Sequence, residues 1–226
     1  GPNPNNPSPR CGIGAITKMF ALKCTRVIAF ENNPELLNEA EKANSAPNIE
    51  YKNSDIAHLD YDKLPSADGI WSSFVPSYFP EFTPVLKSWL KILKPNGWIA
   101  FVEMSDLFNH RPLCKITQKI FEDYYERQCS NNTYDFTMGS KLADFVRNCG
   151  LTIFHKENMQ DKELNFDGPA DERILESWVS RFNRMTRFQE YLGEEKFTET
   201  KNEFSNCLSH SNHRSNTIVK FVIARK

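Results

Sequence analysis

The sequence predicts a doubly wound α/β fold, a mostly parallel sheet with helices on both faces. Three observations carry that expectation. Short β-rich apolar runs alternate with helical stretches between residues 15 and 103. A stretch with two glycines around one apolar residue, CGIGAIT (11–17), opens the first helix. The run WIAFVE (98–103) is apolar almost throughout, as a strand buried on both faces must be.

The elements follow in order. AITKMFALK reads as a helix starting at the glycine loop, and RVIAF (26–30) as a short strand ending at Glu31. Pro34 opens the next helix, where a missing N–H costs nothing, and Leu36, Leu37 and Ala40 keep helical spacing. IEYKNSDI (49–56) alternates like a strand, and ADGIWSSF (67–74) is another. The amphipathic FTPVLKSWLKILK stops at Pro95-Asn96-Gly97 and leads into WIAFVE. Right-handed crossovers make such a series parallel.

The second half breaks the alternation. LCKITQKIFEDYYERQ and SKLADFVRNC read as helices, GLTIFHKENM as a strand, and 171–207 as a long helical insertion. NTIVKFVIARK (216–226) is a strongly apolar last strand, expected to form an antiparallel hairpin with GLTIFHKENM at the sheet edge. The reading is one domain over 11–226 with helical insertions at 107–135 and 171–207. Residues 1–10, GPNPNNPSPR, read as a tag or disordered segment, and Gly1-Pro2 as a cleavage scar.

Bulk properties exclude several classes. With 226 residues, 39% hydrophobic and 25% charged, the composition is that of a soluble globular domain. A net charge of −1 gives no strong pull toward nucleic acid or an anionic membrane, so neither is an expected partner. No apolar run reaches the roughly 20 residues of a membrane span, and no secretory signal is visible. Six scattered cysteines without a CxxC pair read as free thiols in the cytoplasm, and no metal site is expected.

Four segments together resemble the class I S-adenosylmethionine-dependent methyltransferases, in the group acting on small molecules. CGIGAIT is similar to that family's glycine loop, and FENNPELLNEA to the segment after its second strand. NSDIAHL resembles its adenine-contacting station, and LKPNGWIAFVE the turn into its fifth strand. The resemblance covers about 11–103 and, more weakly, the last strand. It implies a Rossmann-like, seven-stranded-type sheet and S-adenosyl-L-methionine as cofactor. Cys11, Gly12 and Gly14 would form the loop, and Glu31 with Asn32 the ribose end. Asp55 and Ile56 would meet the adenine, and Ser72 and Ser73 would lie beneath the cofactor. Physical roles agree: glycines allow close backbone approach, and a carboxylate can accept two hydrogen bonds from a diol. Plain structural roles compete: a helix-entry turn for the glycines, a dipole-favoured acid for Glu31, a loop Asp for Asp55.

The acceptor pocket is expected beyond the fourth and fifth strands, with Tyr78, Glu103, His110, Tyr124, Tyr125 and Trp178 as candidates. His110, in SDLFNH, is the lone base candidate, and Tyr78 its companion; a surface histidine and helix-core aromatics are the competing readings. After the fourth strand the chain reads SSFVPSYF, without the Asn/Asp-Pro-Pro-aromatic tetrad of enzymes that methylate nucleobase or amide nitrogens. A small organic acceptor under a helical lid is therefore expected. Two rivals stand beside this reading: a non-catalytic binding module, and a nicotinamide-dependent oxidoreductase. The third glycine of a dinucleotide fingerprint is replaced by Thr17. One departure stands out. Ser8-Pro9-Arg10 cannot be the central strand that should carry the loop, so an apolar strand ending in an acid is expected between Arg10 and Cys11 of the native chain.

Overall fold

In the computed structural model, which describes residues 14–226, the first half runs α1 (Ala15–Ala21), β1 (Val27–Glu31), α2 (Pro34–Asn44), β2 (Ile49–Asn53), β3 (Ala67–Ser73), α3 (Phe82–Ile92) and β4 (Leu93–Ser105). The second half runs β5 (His110–Arg111), α4 (Lys115–Ser130), α5 (Met138–Asn148), β6 (Thr152–Met159), α6 (Glu172–Asn183), α7 (Thr186–Leu192), α8 (Glu194–Leu208), β7 (Arg214–Ser215) and β8 (Ile218–Arg225). The α/β alternation is the one the sequence predicts.

Local chemistry sets the boundaries. Asn33 caps α2: its Oδ1 accepts from the N–H groups of Glu35 (2.9 Å) and Leu36 (3.3 Å), and Pro34 follows at the first turn. Asp171 caps α6 through Ile174 N–H at 2.8 Å. The expected strand 49–56 ends early, at Asn53. Beyond it Ser54 N–H still bonds to the Glu31 carbonyl at 3.1 Å, but Asp55 turns the chain by accepting from Ala57 N–H. The helical insertion 171–207 consists of three helices, divided at Arg184-Met185 and at Gly193.

β1 and β2 are parallel, with Glu31 opposite Asn53, so their carboxyl ends coincide. β3 and β4 are also parallel, with Ser73 opposite Val102. β8 runs antiparallel to β4 and to β6, which is the expected antiparallel edge. The sheet is not a single seven-stranded array. Among the described residues it forms two hydrogen-bonded groups, β1–β2 and β3–β4–β8–β6, with β5–β7 as a separate short pair. α1 packs on β1 and reaches the second group through Phe20, whose ring lies 5.5 Å from Trp71 of β3 and 6.1 Å from Trp98 of β4. The strand expected ahead of the glycine loop lies outside the described residues.

Two apolar cores sandwich β4, which is buried over nearly its whole length. On one face α3 and α5 bury Phe82, Leu86, Trp89, Met138 and Leu142 against Ile99, Phe101 and Val222. Gly139 lets α5 lie on the strand: a Cβ there would stand 2.8 Å from the Met104 carbonyl carbon. The other core gathers the second-half helices α4, α6, α7 and α8 around Phe108, which meets the rings of Phe121, Tyr125, Phe136, Trp178, Phe182, Phe188 and Phe204. Among the described residues no helix is long and apolar enough to cross a membrane.

Candidate active site

In an open α/β sheet, ligands bind outside the carboxyl ends of the parallel strands. Four such ends are available here, those of β1 to β4, together with the start of α1. Cys11 and Gly12 lie outside the described residues. Gly14 stands immediately before α1 with φ 79° and ψ 7°, in the left-handed region. A Cβ on it would fall 2.4 Å from the Tyr51 hydroxyl and 3.1 Å from Ala40 Cβ. The left-handed φ favours glycine here, and a side chain would also press on α2 and on the movable end of Tyr51.

Glu31 ends β1 and is fully buried. Its Oε1 accepts from Asn33 N–H at 2.9 Å, which holds the turn into α2. A carboxylate buried at a strand end is expensive unless polar hydrogens surround it. Asn32, beside it, is half-buried. Asp55 is different. It is exposed, and its carboxylate is occupied by Ala57 N–H and the His58 ring, each at 2.9 Å. Ile56 is half-buried and packs toward α3. Ser72 is buried with its hydroxyl unpartnered among the described residues, and Ser73 is half-buried at the end of β3.

Beyond β3 the chain makes a single 3-10 turn, Pro76–Tyr78, that is clamped from two sides. Ser77 N–H donates to Glu103 Oε2 on β4 at 3.1 Å, and Asp135 N–H donates to the Ser77 carbonyl at 2.7 Å. Asp135 is itself locked by Thr137 and by Lys141 at 2.7 Å. Tyr78 therefore projects from a fixed turn, with Tyr134 edge-on at 4.9 Å. Glu103 is fully buried; its Oε1 accepts from Met104 N–H at 2.8 Å. Burial pushes its pKa up to about 7, against the pull of those N–H donors and with a smaller push from the Asp135 charge.

Both parallel strands of this group end in a non-glycine residue at positive φ, Phe74 (54°) after β3 and Asp106 (60°) after β4. Such residues persist only where their surroundings over-determine them. Asp106 N–H donates to the Phe136 carbonyl at 2.8 Å, while its own carbonyl accepts from Asn109 N–H (2.8 Å) and the Thr217 hydroxyl (3.0 Å). Its half-buried carboxylate has no hydrogen bond or salt bridge among the described residues. Burial and the Asp135 charge raise its pKa.

His110 lies in the short strand β5, beyond the end of β4. It is fully buried in the aromatic core of the insertions, edge-on to Trp178 and Phe204 and stacked on His213. The Gly168 carbonyl can only accept, so His213 donates to it from Nδ1 (2.9 Å) and takes the Nδ1 proton of His110 on Nε2 (2.9 Å). His110 Nε2 faces the Thr217 hydroxyl at 3.3 Å. Burial, aided by His213, lowers the His110 pKa to about 3. Tyr124 and Trp178 also pack in this core, and Trp178 Nε1 donates to the Glu163 carbonyl. Tyr125 stacks on Phe136 at 4.4 Å and accepts Phe108 N–H, which places it nearer the end of β4.

Sequence reading missed Asp106, Tyr134, Asp135 and Phe136. Residues 134–136 reach the strand ends from a loop some thirty residues downstream, and no local pattern marks such a contact. Among the described residues no group of three or more His, Cys, Asp or Glu side chains could hold a metal ion.

Residues 10–101 match the family model described as a methyltransferase domain. Solved structures share the fold over nearly the whole chain. A candidate methyltransferase from Bacillus halodurans C-125 is 16% identical, with a TM-score of 0.60 over 96% of this chain and 89% of that one. The cyclopropane synthase MmaA2 from Mycobacterium tuberculosis is 12% identical, with a TM-score of 0.61 over 97% and 76%. Coclaurine N-methyltransferase, bound to N-methylheliamine and S-adenosylhomocysteine, is 16% identical, with a TM-score of 0.58 over 96% and 65%. A search of curated protein sequences finds no match.

Proposed function

We propose that this chain is a class I S-adenosylmethionine-dependent methyltransferase, a reading supported by its domain match and its fold, and that it transfers a methyl group to a small organic acceptor at the carboxyl ends of β1 to β4. The observation that carries the reading is the fully buried carboxylate of Glu31 at the end of β1, together with Gly14 in a left-handed turn (φ 79°) at the start of α1. That arrangement fits a nucleoside: close backbone approach on one side and a hydrogen-bond acceptor for a ribose diol on the other. Gly14, Glu31 and Asn32 would hold the sugar end, and Ile56 would lie toward the base. Ser72 and Ser73 would stand below the cofactor. Asp55 would have to release His58 to take part, because its carboxylate is already engaged in its own turn.

When bound, S-adenosylmethionine supplies an electrophilic methyl on a good leaving group. The protein's share is then orientation and exclusion of water. The clamped turn at Ser77-Tyr78 fixes one wall of the acceptor space, and the half-buried rings of Tyr78, Tyr134 and Tyr125 make it largely apolar. Residues 107–135 and 171–207 cover it within a single domain. The coclaurine enzyme, whose solved structure holds a small amine and the demethylated cofactor, supports a small-molecule acceptor.

Calorimetric titration with S-adenosylhomocysteine tests this reading. The parent chain should bind, and Glu31→Gln should weaken binding by about 1.5–3 kcal/mol, the scale of a hydrogen bond to a charged group. Equal affinity in the two proteins would remove Glu31 from the site.

A further inference from the structure

The end of β4 carries a carboxylate held out on a strained backbone. Asp106 sits at φ 60°, a conformation that costs a non-glycine residue, and its N–H and carbonyl are both pinned by the bonds to Phe136, Asn109 and Thr217. The backbone is thus fixed on every side while the carboxylate takes no partner among the described residues. A series of linked aromatic rings begins near it. Tyr125, whose phenol lies within electrostatic reach of Asp106, stacks on Phe136 at 4.4 Å. Tyr134 follows at 4.5 Å from Phe136, and Tyr78 at 4.9 Å from Tyr134. The fully buried Ser77 hydroxyl, beside Glu103 and Tyr134, has no partner at hydrogen-bond geometry among the described residues.

The charge balance of this corner is one-sided. Glu103, Asp106 and Asp135 are all acidic. Of the nearby cations, Lys141 is committed to Asp135, and Arg181 to Glu163. Among the described residues both of these cations are held in ion pairs, with only the buried Arg181 Nε–H left unpartnered, and a neutral ligand would leave the Asp106 carboxylate half-desolvated and unpaired. An ammonium group against aromatic faces satisfies both the charge and the rings.

We infer that the acceptor is an amine with an apolar body, its ammonium group held by the Asp106 carboxylate against the rings of Tyr125, Phe136 and Tyr134. This rests on the methyltransferase reading above. In the transfer, one ammonium proton passes to the carboxylate and the freed nitrogen lone pair forms the new N–C bond. The electron pair of the broken S–C bond stays with sulfur. The methylated nitrogen carries the positive charge, and the Asp106 proton leaves to solvent.

The test uses the full chain at pH 7.5, first titrated with S-adenosylhomocysteine and then saturated with it. Failure of that first titration would overturn the methyltransferase reading itself. With the cofactor product bound, 2-phenylethylamine, 2-phenylethanol and 3-phenylpropanoate are compared by ligand-observed NMR. The amine should bind at least ten-fold tighter than the alcohol, and the propanoate weakest of the three. In Asp106→Asn the amine should fall to within about three-fold of the alcohol, while S-adenosylhomocysteine affinity stays the same. Asn is a suitable probe because it removes the charge and tolerates the left-handed conformation better than most residues. The amine assignment is overturned if the alcohol or the propanoate matches the amine, if Asp106→Asn keeps the preference, or if none of the three binds the saturated protein.

Discussion

Ser77 and Glu103 are joined by a hydrogen bond of 3.1 Å, from the Ser77 backbone N–H to Glu103 Oε2, that ties the turn after β3 to the strand beside it. The bond is unusual for its acceptor, a fully buried carboxyl group whose burial pushes its pKa up to about 7. Folded, the group keeps its proton well above the ordinary value of 4.5; unfolded, it does not. The neutral form therefore contributes stability that is fully present below about pH 4.5 and is lost as pH rises through about 7. At about 1.4 kcal/mol per unit of displacement the effect is on the order of 3 kcal/mol. Denaturant midpoints between pH 5 and 8 should fall with pH in the parent chain and stay flatter in Glu103→Gln. Parallel profiles would mean that Glu103 does not titrate in that window.

The buried pair His110–His213 acts in the opposite direction. Burial lowers both pKa values, that of His110 to about 3. Each ring is held neutral in the fold and charged in the unfolded chain at acid pH. Their contribution is present above about 6.5 and is lost as pH falls through about 3. His110→Phe keeps the aromatic contacts to Trp178 and Phe204 but strands the ring nitrogen of His213. We expect it to cost about 1–3 kcal/mol at pH 7.5, the penalty for an unsatisfied buried polar group, and to make the acid limb shallower. Thermal melts from pH 7.5 to 4 read both effects. An acid limb as steep as that of the parent would place the sensitivity elsewhere.

These two pairs mark how far the sequence could be read. Asn33-Pro34 announced a helix start, and WIAFVE announced a strand buried on both faces, because caps and periodicity are local and survive in one dimension. The carboxyl strand ends followed from element order, which brought out Glu31 and the turn bearing Tyr78. His110 had a plausible address directly after the fifth-strand segment. Its surroundings come from His213 and Thr217, more than one hundred residues later, and they bury it fully. Asp106 carried no signal either. An aspartate after a strand is ordinary until the backbone bonds to residue 136 and residue 217 hold it at positive φ. The break between α7 and α8 at Gly193 was legible in principle, since glycine ends helices.

Phe108 is the residue on which the second core turns. Its ring is stacked on Phe121 at 4.2 Å and meets rings from α6, α7 and α8 as well. Phe108→Ala should cost about 3–5 kcal/mol, the usual range for truncating a buried aromatic, with Phe108→Leu well below that. Because α3 and α5 pack in the other core, the loss should appear first as early melting of the second-half helices. Hydrogen exchange resolves the two regions, and equal loss of protection in α5 and α8 would show that the cores unfold as one.

The shared core also bears on how the site is covered. Residues 107–135 and 171–207 both interrupt the regular alternation, and both follow strands near the proposed cleft. Had they packed separately, each could open alone. Instead α4 meets α7 through Phe121–Phe188 at 5.6 Å and α8 through Phe121–Phe204 at 5.7 Å. Thr117 and Cys114 on the α4 side are further bonded to Glu203 of α8. We therefore expect the two insertions to respond to ligand as one body. Binding of S-adenosylhomocysteine should raise amide protection in α4 and in α6–α8 together, over a roof that excludes water from the reacting sulfur. Hydrogen exchange with and without that ligand is the measurement. Protection gained in one insertion alone would break the single-body account. Unchanged exchange in both, with protection confined to the start of α1 and residues 55–59, would make them static scaffold.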